Sequence, residues 1–380
     1  MKISHSTNTN FKGYDVLPLK GLYMQGLVKR GEINIFREIK AIAKKEGIDL
    51  FFNQNNSQIS DNLIKTDKTD KLLSVWGQDR KAFVKNKNGE TILWNRSENV
   101  LDKNNLGGLK DFNIFSELFL PRGGNYYLGY KPNGEKWLLI NGMSIYEDGL
   151  ESSDLPKETQ LTELFGVNKN NIYKINKFSD DLDEKIRPIG YPYILVNDFE
   201  ISLQNLKKMK EKFPQSSEVY TTLKDYINNA LHIQRKNSPE VSADETCDLL
   251  KSYGFKPIKI GGRYSKDINY MNAIAFENNQ GKISYITNST KKSYPELQYL
   301  EQLFEEELRE KVPNISNTYF VSGGKRPPEE KNSDSLYELY STGLKDRNVI
   351  MDILANRGGG IHCMTTEIPD FEKIESVYNK

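Results

Sequence analysis

The residues with the clearest capacity for chemistry lie near the C-terminal end of the chain. Cys363 directly follows His362, and three glycines at 358–360 precede the pair. A cysteine thiolate is a strong nucleophile, and histidine exchanges protons near neutral pH. The glycines allow close approach of the backbone and positive φ angles. Adjacent side chains point to opposite faces of an extended chain, so the pattern predicts a candidate nucleophile but not a Cys-His pair.

Few other side chains could replace these two. The chain has two cysteines and three histidines. Cys247 lies beside leucines in a predicted helix and is interpreted as a small buried hydrophobic residue. His232 falls in another predicted helix, and His5 in a polar N-terminal stretch. Two cysteines are too few for a disulfide framework and indicate a reducing compartment, and no metal site is predicted.

The overall composition excludes several classes of protein. The 380 residues carry 53 basic and 52 acidic side chains, a net charge of +1, which gives no electrostatic reason to expect a nucleic acid or membrane partner. The N-terminus lacks the apolar segment of a secretory signal, so we expect a cytoplasmic protein, or one exported by a route that reads another signal. Abundant lysine and asparagine suggest a bacterial source. No nucleotide-binding fingerprint is present, and no cofactor is predicted.

Three β-hairpins are predicted by strand-forming residues on either side of turns that end in glycine. They cover residues 81–94, 125–140 and 270–287, with turns that end at Gly89, Gly134 and Gly281. Amphipathic spacing predicts a helix from Leu297 to Leu308, followed by a strand at 318–321.

The helices predicted elsewhere complete a recurring pattern. Ser242 and Glu245 form a capping box before a helix that ends at Gly254, and a strand at 255–260 follows. Further helices are predicted at 32–45, 203–212 and 218–233. Repeats of about 50 to 70 residues with ββαβ content fit this order better than a βαβαβ sheet. Such repeats must stack or close into a ring, and we favour a ring with the N-terminal helix and strand near the Cys363 segment.

Polar, weakly patterned stretches mark the expected loops. They cover residues 1–16, 54–70 and 324–335. We therefore predict a flexible segment at 1–16 and one domain over 17–380.

Several segments resemble one known family in the same order along the chain. Gly359-Gly360-Ile361-His362-Cys363-Met364-Thr365 is similar to the nucleophile segment of the pentein superfamily, the guanidino-group-modifying enzymes that include agmatine, arginine and protein-arginine deiminases. The other segments resemble its Trp-x-x-Asp, Glu-Gly-Gly-Asn/Asp, His-x-Asp and Tyr-x-Asn-Ala motifs, and are residues 75–79, 120–125, 196–203 and 270–274.

The resemblance implies a fold, a reaction and a set of site residues. The fold would be an α/β propeller of five ββαβ-like units around a central site. In the reaction, a thiolate attacks the guanidinium carbon of an arginine-containing small molecule or protein, and a covalent thiouronium forms. Cys363 would be the nucleophile, Asp79 and Asp198 would grip the guanidinium, and His362 is a further catalytic candidate. The implied substrate-binding residues are Trp76, Arg122, Gly124, Asn125, Asn272 and Gly360.

Two positions depart from the family pattern. Val196 stands where the family has its catalytic histidine, and a valine cannot transfer a proton. A shifted alignment could place another group there, but no candidate stands out. Arg122 replaces a glutamate and, if it faces inward, would suit an anionic group. The acidic run at 179–184 resembles calcium ligands but lacks the spacing of an EF-hand loop, and is interpreted as a solvated loop.

Two functions of different classes therefore stay open. The first is a thiol-dependent deiminase, dihydrolase or transferase that acts on a guanidino group. The second is a catalytically degenerate binding protein or secreted effector, which keeps the pocket without turnover. Cys363 and the two aspartates favour the first, whereas Val196 and Arg122 favour the second.

Overall fold

The fold is taken from a computed structural model, which describes the following residues of the chain: 17–24, 32–52, 81–95, 112–116, 123–142, 158–175, 181–221, 223–225, 227–228, 242–264, 268–289, 298–312, 314–322 and 360–378. Among these residues no helix is long and apolar enough to cross a membrane.

The elements alternate between strands and helices along the described parts of the chain. The strands are β1 (Leu19–Met24), β2 (Asp49–Phe52), β3 (Lys81–Lys85), β4 (Thr91–Asn95), β5 (Asn113–Ser116), β6 (Tyr126–Tyr130), β7 (Lys136–Asn141), β8 (Ile172–Ile175), β9 (Ile186–Gly190), β10 (Tyr193–Asn197), β11 (Lys256–Ile260), β12 (Ile274–Glu277), β13 (Ile283–Asn288), β14 (Ile315–Val321) and β15 (Thr365–Pro369). The helices are α1 (Glu32–Glu46), α2 (Glu158–Phe165), α3 (Phe199–Lys210), α4 (Ala243–Ser252), α5 (Gln298–Lys311), α6 (Ile361–Met364) and α7 (Phe371–Tyr378).

The strands form five three-stranded sheets of one design. In each sheet the first two strands are antiparallel and the third is parallel to the second. We number the units 1 to 5 by their strand orders, which are β15-β1-β2, β3-β4-β5, β6-β7-β8, β9-β10-β11 and β12-β13-β14. A parallel third strand needs a crossover, and helices provide it in units 1, 3, 4 and 5. The predicted ββαβ repeat is confirmed.

The five units close into a ring, because the hydrophobic core is divided into five clusters that each join two successive units. The cluster between units 5 and 1 joins Phe276 to Leu22, and the cluster between units 1 and 2 joins Tyr23 to Phe83. The other three clusters join units 2 and 3, 3 and 4, and 4 and 5. The pairing of β15 with β1 completes unit 1 from both ends of the fold. The fold is thus the predicted α/β propeller of five units, with the Cys363 segment beside the first strand.

Local sequence signals explain the element boundaries. Gly89, Gly134 and Gly281 have φ values of 79°, 82° and 69°, as the predicted hairpin turns require. Ser242 and Glu245 make both hydrogen bonds of the capping box. The helix expected at 203–212 begins earlier, at 199, because the Asp198 side chain caps its first amides.

Other sequence predictions have different outcomes. Cys247 is buried in the core between units 3 and 4, as predicted. The stretches 1–16, 54–70 and 324–335 lie outside the described residues, so their prediction as loops stays a prediction. The same holds for His5 and His232.

Candidate functional site

The site lies at the hub of the ring, where units that are not neighbours come into contact. Cys363 of unit 1 contacts Asp183 of unit 4, although unit 5 stands between these two units along the ring. Each residue lies a few positions before the first strand of its unit, and so do Asn125 in unit 3 and Asn272 in unit 5. The N-terminal ends of the first strands therefore place these four residues at the hub.

Three side chains from three units meet at the cysteine sulfur. Cys363 Sγ lies 3.1 Å from Asp183 Oδ2 and 3.1 Å from Asn272 Nδ2. Asn272 Nδ2 also donates to Asp183 Oδ2, at 2.9 Å. Cys363 is 3% exposed and Asp183 is fully buried. The thiol is thus held between a carboxylate that can take its proton and an amide that can donate to a thiolate.

Two asparagines fix the backbone that carries the cysteine. Ile361 N donates to Asn288 Oδ1 at 2.8 Å, and His362 N donates to Asn272 Oδ1 at 2.9 Å. A Cβ on Gly360 would stand 2.4 Å from Asn288 Nδ2, so only glycine fits between these amides. The described contacts give Gly360 and Asn272, both predicted substrate-binding residues, a part in positioning Cys363.

Asp183 has one saturated oxygen and one open oxygen. Oδ2 lies within hydrogen-bonding distance of Cys363, Asn272 and His362, whereas Oδ1 is buried with no hydrogen-bond partner among the described residues. Burial raises the pKa of Asp183 to about 6, although the bond from the Cys363 thiol and the charge of Arg187 act in the opposite direction. A buried acceptor without a donor is costly, so Oδ1 is suited to a cationic N–H donor brought by a ligand.

His362 lies behind this carboxylate. Its Nδ1 is 2.8 Å from Asp183 Oδ2, and its side chain is buried. Burial, together with the positive charge of Arg187, lowers the pKa of His362 to about 3. The imidazole is therefore neutral at pH 7, and the contact is a hydrogen bond from Nδ1–H rather than an ion pair. In this arrangement His362 donates to Asp183, and its predicted catalytic role stays a prediction.

Gly124 lies close to two carboxylates. A Cβ on this residue would stand 3.1 Å from Asp183 Oδ1 and 3.3 Å from Asp181 Oδ2. Asn125 Nδ2 donates to Asp181 Oδ1 at 2.5 Å. Gly124 and Asn125, both predicted to bind substrate, therefore lie at the site, and a ligand above Gly124 could reach both aspartates.

Asp198, predicted as part of the guanidinium clamp, is placed elsewhere. Its Oδ1 accepts from the amides of Glu200 and Ile201 at 2.9 and 3.2 Å, and its Oδ2 lies 3.2 Å from Lys259 Nζ. Both oxygens are occupied by the start of α3 and by a lysine. The carboxylate at the sulfur is Asp183. A role for Asp198 in a guanidinium clamp stays a prediction.

The structure places Val196 and the segment Asp181–Asp183 in different surroundings. Val196 packs in the apolar core between units 3 and 4. Asp181-Leu182-Asp183 carries two aspartates at the same spacing, and Asp183 contacts the sulfur. The interpretation of residues 179–184 as a solvated loop is wrong for Asp183. The signal that could have found it is its position just before the first strand of a hairpin, which Cys363 shares.

Three predicted site residues, Trp76, Asp79 and Arg122, lie outside the described residues. In sequence, Asp79 stands two residues before β3, and Asn272 and Cys363 stand two residues before β12 and β15. Asp79 thus has the same offset in unit 2 as these hub residues have in units 5 and 1. Its role stays a prediction.

A buried ion pair lies next to the site. Arg187 Nη2 donates to Glu367 Oε1, and the Arg187 guanidinium carbon lies 5.3 Å from the ring centroid of Tyr127. The Tyr127 ring is in turn 5.7 Å from the ring of His362. Among the described residues, no cluster of His, Cys, Asp and Glu side chains is suited to hold a metal ion.

Comparison with known proteins places this architecture beside two solved enzymes. The chain aligns with a C. jejuni agmatine deiminase over 94% of its own length and 95% of that chain, at 13% identity and a TM-score of 0.46. It aligns with the N-terminal domain of ArgZ, a cyanobacterial arginine dihydrolase, over 91% and 96% of the two chains, at 11% identity and a TM-score of 0.37. No family model matches the sequence, and no curated protein matches it. The assignment of five units rests on the strand order of the chain itself.

Proposed function

We propose that this protein is a guanidino-group-modifying hydrolase, of the deiminase or dihydrolase type, that acts on an arginine-containing small molecule or protein. The supporting observation is the state of Asp183, which is fully buried, shares Oδ2 with the Cys363 thiol and leaves Oδ1 without a donor. A guanidinium supplies both things that this carboxylate lacks, a positive charge and a directed N–H group. Its carbon would then lie next to the sulfur.

Cys363 is the proposed nucleophile. Its proton passes to Asp183, which is 3.1 Å away, as the sulfur attacks the guanidinium carbon. The tetrahedral adduct loses an amine as ammonia and leaves an S-alkylthiouronium on the cysteine. Water then adds to the same carbon, the carbon–sulfur bond breaks, and a urea product and the free thiol are released. A dihydrolase would hydrolyse the product further.

Two further carboxylates complete the proposed site. Asp79, from the position before β3, grips the guanidinium together with Asp183. Asp181 gives a proton to the departing amine and takes one from the attacking water, because it is partly exposed and faces the space above Gly124. Trp76 and Arg122 are proposed to contact the rest of the substrate.

A second candidate function is binding without turnover. The observation in its favour is the state of His362, which has a pKa of about 3 and is buried behind Asp183, so it cannot exchange protons with a substrate at neutral pH. In this case the open Asp183 oxygen would hold an arginine-like ligand, and Asp181 would only balance its charge.

One experiment separates the two functions. The protein is incubated with arginine, agmatine and an arginine-containing peptide, with release of ammonia, citrulline and ornithine measured and the mass of the acid-quenched protein recorded. An enzyme gives product, and a mass increase that maps to Cys363 and is absent in Cys363→Ala. Binding without product or adduct would favour the second function. Neither binding nor product with any of these compounds would overturn both.

A further inference from the structure

Strands β9 and β15, which follow Asp183 and Cys363, make a second contact across the hub. Arg187 lies four residues after Asp183 in β9, and Glu367 lies four residues after Cys363 in β15. The Arg187–Glu367 pair therefore repeats, between the same two non-neighbouring units, the contact that Asp183 makes with Cys363. The two contacts together fix the distance between β9 and β15 across the hub.

Arg187 is the most deeply buried lysine or arginine in the ion pairs of the described residues. The side chain of Arg187 is 3% exposed and that of Glu367 is 19% exposed. Moving an ion pair out of water costs about as much free energy as the attraction returns, so such a pair is weak evidence for stability alone. Two donors of Arg187, Nε and Nη1, are buried and have no acceptor in the described parts of the chain, so hydrogen bonds alone do not explain the position of this side chain.

We propose that Arg187, held in place by Glu367, is a positioning residue that keeps the Asp183 carboxylate and the Cys363 sulfur in contact and favours their anionic forms. The inference rests on the proposed function only in taking Cys363 as a reactive thiol. Arg187 reaches the site through two routes, its own charge and the aromatic ring of Tyr127, which lies between Arg187 and His362. Its positive charge lowers the pKa of both Asp183 and His362.

The charges around the thiol decide whether a substitution raises or lowers the pH at which the Cys363 thiolate forms. Arg187 is the cation whose charge acts on both Asp183 and His362, and Glu367 is its counter-charge. The described ionisable side chains around the thiol belong to the segment before β9 and to β6, β9, β13, α6 and β15. They are Asp181, Asp183, Tyr127, Arg187, Tyr285, His362, Cys363 and Glu367. Removing Glu367 alone should therefore increase the positive potential at the sulfur, whereas neutralising both partners should decrease it.

The test is a pH titration of the Cys363 thiolate, followed by its ultraviolet absorbance with Cys363→Ser subtracted. Arg187→Gln combined with Glu367→Gln keeps a hydrogen bond between β9 and β15 without charge, and should raise the midpoint by about one pH unit. Glu367→Gln alone should lower the midpoint by a similar amount. The matched control is Lys373→Met with Glu277→Met, a pair that joins α7 to β12, with no expected change.

The opposite signs distinguish this role from a purely structural one. If the pair only supports the fold, both hub variants lower the melting temperature and leave the midpoint in place, and this result would overturn the proposal. Midpoints that move in the same direction would also overturn it. If the double variant does not fold, Arg187→Met with Glu367→Met removes the same two charges. Because the titration needs no substrate, its outcome is independent of the search for guanidino turnover.

Discussion

Two acidic segments of unit 4 have similar sequences but opposite environments. Asp183 stands before β9 at the hub, with one oxygen shared with the thiol and the other without a donor. Asp198 stands after β10, at the start of α3, with both oxygens occupied by backbone amides and Lys259. Among the described residues, the hub carboxylate keeps one acceptor oxygen available, whereas the carboxylate at α3 has both oxygens engaged. In this fold, the chemical role of an aspartate depends on which end of the hairpin carries it.

Replacing aspartate with asparagine should affect activity very differently at Asp183 and at Asp198, and the loss at Asp183 is the largest effect that we expect. Asp183→Asn removes the charge that faces the guanidinium and the acceptor for the thiol proton, and should lower kcat/KM by about 10³-fold on whichever guanidino substrate is turned over. Asp198→Asn is the matched control, because asparagine caps a helix as well as aspartate does. Its kcat/KM should stay within about twofold. Equal losses in the two variants would contradict the assignment of the hub carboxylate.

A substitution at Gly124 tests the open oxygen without touching a charge. In Gly124→Ala the added Cβ would stand 3.1 Å from Asp183 Oδ1 and cover it. We expect the affinity for a guanidinium ligand to fall about tenfold or more, which corresponds to about 1.4 kcal/mol or more, with little change in melting temperature. Calorimetric titration with agmatine measures this. Unchanged affinity would show that the ligand does not use Oδ1.

The pKa of Asp183 predicts the pH dependence of binding. Since burial raises this pKa from 3.8 to about 6, the carboxylate stabilises the folded, ligand-free protein below pH 3.8, and this contribution is lost as the pH rises through about 6. A bound cation reverses the sign, because it favours the ionised form. Affinity for agmatine should therefore fall about tenfold per pH unit below pH 6 and level off above pH 7. Asp183→Asn should show weak binding with no such dependence.

The smallest expected effect is a change in stability, and it concerns Asp198 at the start of α3. Asp198→Ala removes the cap of α3 and should lower the free energy of unfolding by about 1 kcal/mol, as measured by urea denaturation. Turnover at a permissive temperature should be unchanged. A large loss of activity in folded Asp198→Ala would return this residue to the site and remove the contrast between the two hairpin ends.

The sequence predicted the fold better than the site, for a physical reason. Turn glycines, the capping box and amphipathic spacing are local signals, and all of them are present in the described elements. Cys363 was identifiable because glycines and a histidine surround it. Asp183 was not, because an acidic run usually belongs to a solvated loop, and only the closure of five units buries it. Val196-Asn197-Asp198 has the expected spacing, but it stands at the end of β10, and Asp198 caps α3.

The Arg187–Glu367 pair was not predicted either. The two residues are far apart in sequence, and each is an ordinary polar residue within a short strand. Their contact depends on units 1 and 4 meeting across the hub, which no local pattern reports. What the sequence does contain is a recurring position, since a residue of chemical interest stands one to three positions before the first strand of each unit. By this pattern, Asp79, which stands before β3, is the next residue to test.

The completion of unit 1 by β15 has a consequence for synthesis. The chain makes four units and most of the first before the segment with Cys363 leaves the ribosome, so the thiol joins the hub only when the ring closes. A nascent or truncated polypeptide would carry Asp183 and Asn272 without the sulfur that both side chains contact.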